Sequence, residues 1–178
     1  IGWRLKDDIT KLSLKIAHCH CHSAQHAQNM IKLYSAVAIV SKNSLDYVER
    51  VFEAYRSGTV VIPVKNLREV PDISDIELRE CIDPAAKFGW MSSVAPLPHG
   101  NELAQVSFTS GTEGTPKGVL LTHAMLSDVT ERLNAIMEVN AEIREYVGVP
   151  VNYSFGLGRC RAVAEAGGNF YLPEYGFN

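Results

Sequence analysis

Phe108-Thr109-Ser110-Gly111-Thr112-Glu113-Gly114-Thr115-Pro116-Lys117-Gly118-Val119 gathers small hydroxyls, three glycines and one lysine into twelve residues, and the apolar run Val119-Leu120-Leu121 follows. Glycine lets a backbone turn tightly and present its N–H groups without a side chain in the way. Hydroxyls add donors and the lysine adds a point charge, so the segment has the chemistry to hold the tail of a nucleoside triphosphate. It is not the Walker pattern, which needs Gly, four residues and then Gly-Lys-Ser/Thr. Pro116 precedes Lys117 here, and Gly118 follows it.

The order of residues resembles the Ser/Thr/Gly-rich phosphate loop of the adenylate-forming superfamily: acyl- and aryl-CoA synthetases, peptide-synthetase adenylation domains and luciferases. The matching positions are Thr109, Ser110, Gly111, Thr112, Gly114, Pro116, Lys117 and Gly118. The resemblance implies an ATP-dependent ligase. The acid attacks the α-phosphate to give an acyl-adenylate and pyrophosphate, and a thiol of CoA or of an acyl or peptidyl carrier protein then takes the acyl group. It also implies roles for residues. Thr109, Ser110, Gly111, Thr112, Glu113, Gly114, Thr115 and Lys117 would hold ATP, with Mg²⁺ as its companion ion, and Lys117 and Thr109 would assist the chemistry. Glu113 stands where the superfamily has a hydroxyl; its carboxylate either meets Mg²⁺ or turns to solvent.

Two further stretches are similar to the same superfamily. Val37-Ala38-Ile39-Val40-Ser41-Lys42-Asn43-Ser44 with Tyr55–Val64 is like its early strand-helix-strand unit. Pro150-Val151-Asn152-Tyr153-Ser154-Phe155-Gly156-Leu157 is like its next motif, which makes Tyr153 a candidate for the acyl pocket; the alternative is a core aromatic at a strand end. The aromatic-Gly-x-Thr-Glu motif, the ribose-binding Asp and the C-terminal adenylating lysine of that pattern are not among residues 1–178. Residues 1–178, with the phosphate loop at 108–119, are therefore expected to form part of the large N-terminal subdomain of such an enzyme, inactive alone. A non-catalytic nucleotide- or acyl-binding remnant is the second reading.

A third reading starts from His18-Cys19-His20-Cys21-His22 and His26. On a helix, His18, His22 and His26 share a face and a pair of them could chelate a metal. Cys19 and Cys21 then point elsewhere and no second ligand pair lies nearby, so no metal site is assigned and the segment is taken as a packed or solvated helix face.

The elements that must position these residues follow from periodicity. Apolar spacing over Asp7–Leu33 suggests a helix. Ala36–Val40 and Val60–Val64 are short, β-branched apolar runs and read as buried strands. Leu45–Ser57 reads as the helix between them, capped near Ser44 and stopped at Gly58, with Val48, Val51, Phe52 and Tyr55 on one face. Downstream the pattern suggests a short helix at 75–82, a strand at 87–91, a loop at 96–101 and a strand at 104–109 feeding the glycine-rich loop. Beyond it come a strand at 119–122, a helix at 124–139, a strand at 146–151, a helix at 154–166 and a strand at 169–172. This alternation predicts an α/β fold, a mostly parallel sheet with flanking helices.

Composition agrees. The 178 residues are 46% hydrophobic and 21% charged with a net charge of −3, ordinary for one globular core and unlike a nucleic-acid-binding surface. No apolar run reaches the ~18 residues of a membrane span. The start, Ile1-Gly2-Trp3-Arg4, lacks an initiator Met and a signal-peptide pattern, and is read as a cut or as a start not seen here. Four cysteines do not make a disulfide framework in a chain of this length, and a reducing cytoplasm is the expected compartment.

Overall fold

The strand-helix-strand unit expected between Ala36 and Val64 is present in the computed structural model, which describes residues 21–23, 35–40, 43–64, 77–80, 87–92, 94–109, 117–151 and 153–174. β2 (Ala36–Val40) leads through α1 (Leu45–Arg56) to β3 (Val60–Val64), and β2 and β3 pair in parallel from Ala36↔Val60 to Val40↔Val64. The helix forms where the sequence signals agree. Ser44 Oγ accepts from the Tyr47 N–H, Asp46 lies in the first turn and Arg56 in the last. Gly58, at φ 71°, takes the left-handed turn that sends the chain into β3. Val48, Val51, Phe52 and Tyr55 are buried as the spacing requires, joined by Leu45, Tyr47 and Ala54.

Two sheets result. The larger runs β1-β7-β6-β3-β2-β4, where β1 is Cys21–Ser23, β4 Glu77–Glu80, β6 Leu103–Thr109 and β7 Lys117–Thr122. β4, β2, β3 and β6 are mutually parallel, while β7 is antiparallel to both β6 and β1. The smaller sheet runs β5-β9-β8, from Gly89–Met91, Asn169–Leu172 and Arg144–Tyr146. α2 (His123–Met137) and α3 (Ser154–Glu165) complete the described elements.

The strands of the large sheet bury both faces, as parallel strands do. Val37, Ile39 and Val61 pack with α1, α3, Phe170 and Leu172 on one side. Ala36, Ala38, Val60, Ile62, Val64, Leu103 and Val106 form a second apolar cluster on the other. Each fully buried Val, Leu, Ile or Phe contributes about 1.5–3 kcal/mol, so these clusters fix the register of the strands that carry the site.

Three expectations are corrected. Cys21–Ser23 is a strand paired with β7, not part of a helix over 7–33; the free edge of β7 offers a ladder that outweighs local helical spacing. Glu77–Glu80 is a strand on β2 rather than a helix turn, for the same reason. The strand expected at 146–151 lies at Arg144–Tyr146 instead, because Gly148 and Pro150 break the ladder beyond it. β6, α2, α3 and β9 fall within two residues of expectation, and β7 starts at Lys117, two residues earlier than expected.

Candidate active site

β6 and β7 form an antiparallel hairpin, and its register ends at Thr109↔Lys117. Both candidate catalytic positions therefore sit at the neck of one hairpin, on facing strands. Ser110, Gly111, Thr112, Glu113, Gly114, Thr115 and Pro116 connect them and lie outside the described residues. β6 is also the last of four parallel strands, and the carboxyl ends of such strands are where open α/β sheets place ligands.

A cavity of about 150 Å³ opens at that end, lined by Pro63 of β3, Gln105, Ser107 and Phe108 of β6, and Tyr153, Ser154 and Leu157 at the start of α3. Tyr153 is half exposed and caps α3 without a side-chain cap bond. It is thus a wall of the cavity and not a core aromatic. The first turn of α3 brings its positive helix end to the cavity, which suits an anionic ligand.

Two features seat that turn. A Cβ on Gly156 would lie 2.8 Å from the Pro150 carbonyl carbon and 3.0 Å from the Val149 oxygen, so only glycine allows this approach. Asn43, in the loop after β2, accepts from the Val151 N–H at 3.1 Å and donates to the Pro173 oxygen at 3.3 Å. The loop after β2 therefore holds both the lead-in to α3 and the exit of β9.

Behind the cavity lies a polar network that the sequence reading did not assign. Tyr55, fully buried, donates to Gln105 Oε1 at 2.6 Å, and Gln105 Nε2 donates to Ser107 Oγ at 2.8 Å. Burial pushes the Tyr55 phenol well above its usual range, with Arg161 only partly opposing. Gln105, Ser107 and Thr109 alternate along an otherwise apolar strand, and that polar alternation was the available signal.

Arg161 of α3 is almost wholly buried. Its Nε donates to Glu165 Oε1 at 2.7 Å and its Nη2 to Ser127 Oγ of α2 at 3.2 Å, and the guanidinium sits 5.5 Å from the Tyr55 ring centre. Ser127 Oγ also bonds His99 Nδ1 at 2.7 Å. Burial raises the Glu165 pKa, with Arg161 opposing. Burial lowers that of His123, the first residue of α2, and the Arg161 charge lowers it further. Arg159, itself buried, makes a second pair with the partly exposed Glu145, its Nε donating to Glu145 Oε1 at 2.7 Å. Burial raises the pKa of the Cys160 thiol beside it, which makes that thiol an inert packing group.

His22 stands on β1 opposite Gly118, and His18 and His26 lie outside the described residues. The helical face that would have aligned the three is absent at His22. Among the described residues no three His, Cys, Asp or Glu side chains converge on a metal site. Nor is any described helix long and apolar enough to cross a membrane.

A medium-chain fatty-acid–CoA ligase of Escherichia coli (strain K12) is 35% identical over an alignment covering 43% of this chain and 15% of the ligase. A pyochelin synthetase, PchF, of Pseudomonas aeruginosa (strain UCBPP-PA14) is 31% identical over 51% of this chain and 5% of the synthetase. The chain thus spans a small part of the curated relatives it matches. Among solved structures, ATP-bound MatB from Rhodopseudomonas palustris superposes with a TM-score of 0.64 at 17% identity, covering 85% of this chain and 38% of MatB. That likeness shows the α/β fold of the sheet and its helices. The sequence profile of the AMP-binding enzymes matches residues 65–175, a stretch that contains the whole β6–β7 hairpin and the start of α3, and the chain belongs to that family.

Proposed function

We propose that this chain supplies the phosphate loop and one wall of the acyl pocket of an ATP-dependent acid–thiol ligase of the cytoplasm. Thr109, Ser110, Gly111, Thr112, Glu113, Gly114, Thr115 and Lys117 form the loop that holds ATP, with Mg²⁺ as its companion ion. Lys117 and Thr109 stabilise charge as the acid attacks the α-phosphate, which is electrostatic work for fixed donors and a cation. Tyr153 borders the acyl group, and CoA or a carrier-protein thiol is the acceptor. The observation that carries this reading is the placement of the Thr109↔Lys117 neck and the 150 Å³ cavity at the same carboxyl end of the parallel strands. The adenine-binding motif and the adenylating lysine are not among residues 1–178, so the chain by itself is expected to bind nucleotide without turning it over.

The test is a titration of the 178-residue chain with Mg·ATP, followed by amide NMR. Shifts concentrated at Thr109, Lys117 and Gly118, and weakened by Lys117→Ala, support the reading. Saturable binding that leaves these amides unmoved, or no binding at millimolar ATP, removes it. Carboxylate-dependent pyrophosphate exchange by this chain alone would overturn the expectation that it lacks turnover.

A further inference from the structure

The hydrogen bonds between Tyr55, Gln105 and Ser107 have a direction. Tyr55 sits on α1, on the sheet side opposite the Val106 cluster, and its hydroxyl has one proton to give. At 2.6 Å that proton goes to Gln105 Oε1. The phenol is held protonated by burial, so it remains a donor throughout the ordinary pH range. With Oε1 occupied, the Gln105 amide is fixed with Nε2 toward Ser107, and Nε2 donates to Ser107 Oγ at 2.8 Å. A serine oxygen that accepts from an amide keeps its own proton for another partner. Both Gln105 and Ser107 line the cavity.

We infer that Ser107 is a specificity-determining donor of the acyl pocket, presenting its hydroxyl proton to an oxygen acceptor on a short acid, and that Gln105 and Tyr55 are positioning residues that set its direction. This rests on the reading of the cavity as the acyl site. The size of the ligand follows from the space: an open pocket of ~150 Å³ accommodates a benzene-sized group. The walls Pro63, Phe108 and Leu157 are apolar; of the polar lining residues Gln105, Ser107, Tyr153 and Ser154, Ser107 is the one whose hydroxyl direction is set by the bond it accepts from Gln105, and it is assigned the sorting of acceptor-bearing ligands from hydrocarbons of the same shape. A hydrocarbon bound there would cut the part-buried Ser107 hydroxyl off from water without giving it an acceptor, and that unmet donor is the source of discrimination.

The experiment titrates the 178-residue chain with benzoate and with toluene, matched in ring size and differing in the acceptor. It uses wild type, Ser107→Ala, Ser107→Thr and Tyr55→Phe, with the melting temperature of each recorded. The expected result is a benzoate Kd raised about five- to tenfold by Ser107→Ala, the contribution of one net hydrogen bond. Toluene should change less than about twofold, and Ser107→Thr, which keeps the hydroxyl, should stay near wild type. Tyr55→Phe frees the Gln105 amide and should shift benzoate in the same direction while leaving toluene. The readout is the benzoate-to-toluene ratio, which a general loss of packing does not move. If Ser107→Ala weakens both probes equally, or neither, the relay is overturned while the cavity stands as a ligand site. The second of those outcomes is also what a reversed Gln105 amide, accepting the serine proton itself, would produce. If neither probe binds wild type, the cavity is not the acyl site and the inference falls with it.

Discussion

Thr109 and Lys117 face each other as the final register pair of the β6–β7 hairpin, so the hydroxyl-bearing and the cationic ends of the glycine-rich loop leave the sheet from adjacent strands. The two ends of the glycine-rich stretch are thereby held on neighbouring strands, the arrangement the proposed phosphate site needs.

Lys117→Ala is expected to weaken Mg·ATP binding about 10-fold or more, because a charge-assisted hydrogen bond contributes roughly 1.5–3 kcal/mol. His22→Ala, on the neighbouring strand, should leave ATP affinity unchanged. Isothermal titration of both variants is the check, and equal losses would remove Lys117 from the site.

Gly156→Ala places a methyl group against the Pro150 carbonyl, 2.8 Å from its carbon, at the turn that seats α3. Overpacking of this kind costs about 1–3 kcal/mol. At ~2–4 °C per kcal/mol for a chain of this size, melting should fall by roughly 2–12 °C. Gly158→Ala, where an added Cβ meets nothing within 4 Å, is the control and should not lower it.

Arg161→Leu strands Glu165 in a buried site, and such a break costs about 3–5 kcal/mol. The double variant Arg161→Leu/Glu165→Leu removes the stranded charge and should recover most of that loss. Urea unfolding of wild type, the single variant and the double variant measures the recovery. A double variant no more stable than the single one would mean that Ser127 and Tyr55, not Glu165, account for the role of Arg161.

Acid should act through His123. Its folded pKa lies below the ordinary 6.5, from burial first, then the Arg161 charge, with Glu102 opposing and His99 adding. The unfolded chain therefore takes up this proton at a higher pH than the fold does. Stability is lost as pH falls through about 6.5, and the loss is complete once the folded His123 also protonates. Glu165 works the other way: its folded pKa is raised above 4.5, so its contribution declines as pH rises from 4.5 to that raised value. Comparing wild type with His123→Gln isolates the histidine. Between pH 7.5 and 5.5 the variant should lose less melting temperature than wild type; equal losses would assign the acid response elsewhere.

The sequence made the parallel unit legible because it rests on local signals, and the glycine-rich stretch stands out by spacing alone. Ser44 and Gly58 bound α1, β-branched runs mark β2 and β3, and the glycine spacing at 111, 114 and 118 is visible without a fold. β1 and β4 were not legible, since Cys21–Ser23 and Glu77–Glu80 become strands only by finding an edge made elsewhere in the chain. The relay behind Ser107 was half legible. Polar residues at 105 and 107 break an apolar strand, but the partner, Tyr55, is fifty positions away and looked like one more apolar face residue of α1.

The short strand β1 has a consequence for how the site comes together. Ser23 pairs with Lys117, which in turn pairs with Thr109, so three residues from distant stretches share one row of the sheet. Closing the first of these pairs joins positions separated by roughly ninety residues, a contact of high order whose loop entropy must be met before it contributes anything. The hairpin is closed by its own neighbours, whereas its outer edge needs this distant partner. The strand that carries Lys117 is therefore expected to gain its β1 support after the hairpin itself, which ties the edge beside the proposed phosphate site to the Cys21–Ser23 stretch.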